Sequence, residues 1–189
     1  MPCRSIYLAK HRGIASQRAH FALFIPNAAD DRKDLSQDFQ STPCSGTVIH
    51  VVGEPVMLGY ALEFKRNDEC SDSRDLREMV FLGHVDSANL YDPPDMMVFK
   101  ETCARAALER EATMVNPPPR GQNIRALIDG VTTRRCQEWT MELLHRLEQR
   151  GLISPGAASI AERHRDSPSH GIFGQTGAAS QASLSCQQV

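Results

Sequence analysis

Between Thr132 and Gly151 the chain spells out one helix with both ends marked. Thr132 or Thr133 is of the type that caps a helix start, and Gly151 stands where a helix ends in the left-handed conformation. Arg146 and Arg150 fall in the last turns, where positive charge suits the helix dipole. Cys136, Trp139, Leu143 and Leu147 repeat with the spacing of one buried stripe. A stripe of this kind needs an apolar partner, so the remainder of the chain has to supply a packed surface. It also sets a cysteine in the first turn of the helix, on the inward side. Free backbone N–H groups there, with Arg134 and Arg135 beside them, favour a thiolate, which is the nucleophilic form of cysteine. A buried structural cysteine is the common alternative.

The surface comes from the first half of the chain. Arg4–Ala9 reads as a first strand. Ala19–Ile25 is a second, apolar on both faces as a covered central strand would be. By the two-residue period His20, Ala22 and Phe24 share one of its faces, and Phe21, Leu23 and Ile25 the other. Gly46–Gly53 is a third strand, rich in β-branched residues, with Val48 and Val52 on the face of His50. Met57–Lys65 and Glu78–Val85 make a fourth and a fifth. Strands in succession with short connections predict a largely antiparallel sheet, hence an α+β fold with about five strands packed on the Cys136 helix.

Asn27–Ser45 reads as a polar, exposed loop. Asp95 is placed to cap a helix over Met96–Thr113, and Asn116–Gly121 is a stiff, proline-rich break. Residues 1–155 are expected to form one domain. Residues 156–189 are expected to form a low-complexity, disordered tail, rich in Ser, Gly, Gln and Ala towards the end.

With 189 residues the chain is long enough for a real core, and its formal charge of −2 argues against nucleic acid as a partner. No run is long and apolar enough to be read as a membrane span. Cys3, Cys44, Cys70, Cys103, Cys136 and Cys186 form no CxxC pair and no zinc-ligand spacing. A reducing, cytoplasmic setting follows as the expectation, with no metal and no cofactor.

A histidine inside an apolar strand needs a partner or a task, because its nitrogens are costly to bury alone. His20 and His50 are both so placed. A cysteine hydrolase needs a thiolate on a helix start, an imidazole base and a third polar group that orients the imidazole. Cys136, His20 and His50 are the candidate catalytic residues for those roles. The stretches Ala19-His20-Phe21-Ala22-Leu23-Phe24 and Arg135-Cys136-Gln137-Glu138-Trp139, in that order, resemble circularly permuted papain-like proteins. That group includes permuted NlpC/P60 enzymes and lecithin:retinol acyltransferase-like enzymes. The frame of the second strand, the third strand and the Cys136 helix is also similar to a family of uncharacterised fungal proteins, over roughly residues 4–153. The acyltransferase-like enzymes usually carry Asn before the nucleophile, where this chain has Arg135.

The resemblance implies a permuted papain-like fold with Cys136 as nucleophile, His20 as base and His50 as the third member. It implies a thiol-dependent hydrolase, acyltransferase or cyclase acting on a small-molecule amide, ester or thioester, in fungal secondary metabolism. Two alternatives stand beside it: a non-catalytic papain-like binding scaffold, and a cyclase or isomerase using histidine acid–base chemistry without the thiol. Gln137 is a further oxyanion donor candidate, with a surface position as the plain alternative, and Trp139 is read as a core anchor.

Overall fold

The structure, a computed structural model, describes residues 2–32 and 34–171. Its strands are β1 (Cys3–His11), β2 (His20–Pro26), β3 (Ser45–Glu54), β4 (Gly59–Glu69), β5 (Leu76–Asp86) and β6 (Phe99–Glu101). Its helices are α1 (Leu35–Asp38), α2 (Ala107–Thr113), α3 (Cys136–Gln149) and α4 (Ala157–Glu162). The strands form one sheet in the order β5-β1-β2-β3-β4-β6, with every pairing antiparallel. The protein is thus α+β, built on a single antiparallel sheet. No helix among the described residues is long and apolar enough to cross a membrane.

Alternation along the strands divides the core in two. Ile6, Leu8, Phe21, Leu23, Ile25, Ile49, Val51 and Phe64 face α3 and pack with its Cys136, Trp139, Leu143 and Leu147. Tyr7, Ala9, Ala22, Phe24 and Val48 project from the opposite face, where Leu35, Cys44, Cys70, Leu76 and Met79 join them. Trp139 is fully buried and donates its indole N–H to Val115 O at 3.0 Å. Gly151 ends α3 with φ 64°, the conformation its position called for.

Three local expectations are corrected. Helix α3 begins at Cys136, not at the threonines. The Asp129 side chain instead accepts from Val131 N, Thr133 N and the Thr132 hydroxyl, which makes a turn of that stretch. Met96–Thr113 is not one helix: it contains β6, then α2. Strand β4 offers an open edge that Phe99–Glu101 fills, and Arg66, fully buried, fixes both pieces by bonding Glu101 at 2.9 Å and Glu109 at 2.6 and 3.0 Å. That charge network outweighs local helix propensity. Asn27–Ser45 is not wholly exposed, since Leu35 and Cys44 are buried against the second face of the sheet.

The expected tail starts too early as well. Ala157, Ala158 and Ala161 of α4 are buried against α3 and β5. Small residues, which look like low complexity in sequence, here allow close helix packing. Beyond α4, Asp166 accepts hydrogen bonds from Ala19 N at 2.7 Å and Gln137 Nε2 at 2.9 Å and pairs with Arg12. Residues 172–189 of the expected tail lie outside the described residues.

Candidate active site

Strand register brings three histidines onto one face of the sheet. His11 on β1 pairs with His20 on β2, and their ring centroids are 5.9 Å apart. His20 Nε2 lies 2.9 Å from His50 Nδ1 on β3. His50 Nε2 lies 3.2 Å from Glu63 Oε1 on β4, where the two residues are register partners. Lys100 on β6 reaches the same carboxylate oxygen at 3.1 Å. A row of polar groups therefore crosses five neighbouring strands on the face opposite α3.

The proton order in this row follows from the carboxylate. An ionised Glu63 only accepts, so His50 carries its proton on Nε2 and its Nδ1 accepts from His20 Nε2–H. His20 Nδ1 is then left as a bare acceptor, and it makes no hydrogen bond among the described residues. Burial, helped by the neighbouring imidazoles, pushes His20 down to about 3. Burial, helped by the nearby imidazole of His50, pushes His11 down to about 4. Burial also lowers His50, against the opposing pull of Glu63. Burial alone would raise Glu63, but hydrogen bonds from Lys100 and His50 hold it below its usual range. All three imidazoles are therefore neutral at neutral pH.

His11, His20 and His50 line an open cavity of about 440 Å³, together with Val48, Lys65, Asp68 and Ser73 among others. His11 Nδ1 lies 3.3 Å from the Ser73 hydroxyl. Lys65 is paired with Asp68. Among the described residues no group of three or more His, Cys, Asp or Glu side chains is arranged to hold a metal ion.

Cys136 stands apart from this row. Its side chain belongs to the core face under α3, and its Sγ hydrogen-bonds Ala19 O at 3.9 Å. No hydrogen bond joins it to His20 or His50. The expectation of a favoured thiolate is corrected: burial pushes this thiol up to about 11, outweighing the nearby backbone N–H groups and Arg18. Cys136 and His20 do both border a second cavity of about 450 Å³.

Gln137 is no surface residue. It is fully buried, donates to Ala19 O at 2.8 Å and to Asp166, and accepts from Arg18 at 3.0 Å. Sequence reasoning missed Glu63 and His11. Each stands directly opposite a strand histidine in the ladder, and only the register reveals that. Among the cysteines Cys3, Cys44, Cys70, Cys103 and Cys136 there is no disulfide.

The chain belongs to a family of unknown function, DUF6540, whose model matches residues 6–154. That span runs from β1 to the residues just past α3, so it contains the whole histidine row and Cys136. No curated protein and no solved structure matches the chain.

Proposed function

We propose that this protein binds a small molecule in the histidine-lined cavity and moves a proton on it, as an isomerase or cyclase that uses imidazole acid–base chemistry and no thiol. The observation that carries this reading is the chain Glu63–His50–His20, with His20 on the cavity wall. His20 Nδ1 accepts a proton from the substrate. His50, held by Glu63, takes hydrogen bonding from the other ring nitrogen and steadies the imidazolium that forms. Negative charge developing on the substrate raises the low basicity of the buried ring at the moment it is needed. The same ring, once protonated, is a strong enough acid to return the proton elsewhere on the substrate.

A thiol-dependent acyl transfer remains the second reading, supported by the cavity that Cys136 and His20 share. The raised thiol and its carbonyl partner favour the first. The permuted papain-like reading of the fold has the support of α3 lying along β2, with Cys136 at its first position beside Ala19.

Deuterium uptake tests the proposal. Protein incubated in D2O with an extract of small metabolites is expected to label one compound, detected by mass spectrometry. His20→Gln is expected to abolish labelling and His50→Gln to reduce it by about 10²-fold. Cys136→Ser is expected to leave it intact. Labelling that survives His20→Gln, or that needs Cys136, sinks the proposal, as does an absence of labelling by the unaltered protein.

A further inference from the structure

The second cavity, about 450 Å³, has a wall of two characters. Pro55, Tyr60, Ile124 and Ile128 supply apolar lining, and Arg18 and Arg135 supply positive charge. The two arginines that line it are not equally matched with carboxylates. Arg18 has Glu138 at 2.5 Å, an oxygen that Arg165 shares. Arg135 has no carboxylate partner among the described residues. Its Nη1 bonds only neutral oxygens, Gln122 Oε1 at 2.6 Å and Arg134 O at 2.9 Å. Its Nε and Nη2 make no hydrogen bond among the described residues. Burial lowers its pKa from the usual arginine value, which records the cost of holding that charge out of water.

Arg18 adds a second sign. Its side chain is only 10 % exposed, yet Nε and Nη1 are buried without an acceptor. Buried N–H donors are nearly always satisfied, and charged ones are the most costly to leave alone. Helix α3 also opens at this cavity, with Cys136 at its first position, so the positive end of its dipole adds to the same field. The neutral, protonated thiol of Cys136 and the apolar side chains exclude a strongly hydrated inorganic ion as the best fit. A planar two-oxygen anion matches the guanidinium fork.

We propose that this cavity binds an organic carboxylate with an apolar body, its carboxylate on Arg135 and its body along Pro55, Ile124 and Ile128. The site is centred on Arg135, away from His50, and does not depend on the proton-transfer reading, although Gln17, Arg18 and His20 border both cavities.

The probe pair is 4-phenylbutyrate and 4-phenylbutanol, which differ in the charged head alone. Calorimetric titration of the full chain at low salt is expected to give at least about tenfold tighter binding of the acid. Arg135→Gln is expected to remove that difference and leave the alcohol unchanged. Methyl NMR of the unaltered protein supplies a second readout that needs no variant. The acid is expected to shift the Ile124 and Ile128 methyls and to leave Val48, in the histidine-lined cavity, in place. Equal binding of acid and alcohol, no binding of either, an unaltered preference in Arg135→Gln, or shifts at Val48 in place of Ile124 and Ile128 would each overturn the proposal.

Discussion

His20 is largely withdrawn from water, with the imidazoles of His50 and His11 beside it, and that environment keeps it neutral. The consequence is a dependence of stability on pH. In the unfolded chain a histidine takes up its proton near pH 6.5. Folded, His11 resists until about 4 and His20 until about 3. Between those limits the unfolded state binds more protons, so this stabilisation is complete above about pH 6.5 and drains as pH falls towards 4. The urea midpoint is expected to fall between about pH 7.5 and 4.5, by an amount equivalent to at least ~1 kcal/mol. His20→Gln is expected to flatten that slope, and an equally steep slope in the variant contradicts the account. Cys136 gives a second test at this scale. With its thiol pushed up to about 11, the thiolate fraction at neutral pH is about a hundredfold below that of an ordinary cysteine. Timed alkylation with iodoacetamide and peptide mapping should find Cys3 and Cys103, both exposed, modified well before Cys136. Early labelling of Cys136 revives the thiol-dependent reading.

Helix α3 is held by its stripe, and Trp139 contributes the largest buried side chain to it. Trp139→Ala is expected to cost about 3–5 kcal/mol through the cavity it leaves. Trp139→Phe keeps most of the packing but strands Val115 O, so a smaller cost of roughly 1–3 kcal/mol is expected. Equilibrium denaturation measures both, and the alanine variant must be the worse. The helix is also tied at its start. Glu138 accepts from Arg135 N at 2.9 Å, and Gln137 joins α3 to Ala19, the residue before β2. These ties set the helix start beside β2 with its stripe against Phe21, Leu23 and Ile25. The imidazole of His20 therefore projects from the other side, so the base and the sulfur leave opposite faces of the sheet and share only the border of the second cavity.

At the scale of the whole molecule, residues 157–171 complete the fold. Helix α4 packs on α3 and β5, and Asp166 fixes Arg12, Ala19 and Gln137. A chain ending at Pro155 is expected to melt about 5 °C lower or more, and to lose hydrogen-exchange protection at the Ala19 amide. An unchanged melting temperature would refute that role. Much of the architecture was legible beforehand. The strands around His20 and His50, the stripe from Cys136 to Leu147 and the stop at Gly151 follow from local periodicity and backbone preference. Less legible were β6 and α2, because a buried arginine recruited them to an edge, and α4, because alanines pack without an apolar signature. Which side chains share a face with His20, and which with His50, was readable from the two-residue period; that the two histidines meet on one side of the sheet came from the register. Which face α3 would cover was not readable from the period either. Periodicity is a property of each segment, whereas the choice of covered face, the register that sets Glu63 opposite His50, and the desolvation of Cys136 arise only when distant segments compete for the same apolar surface.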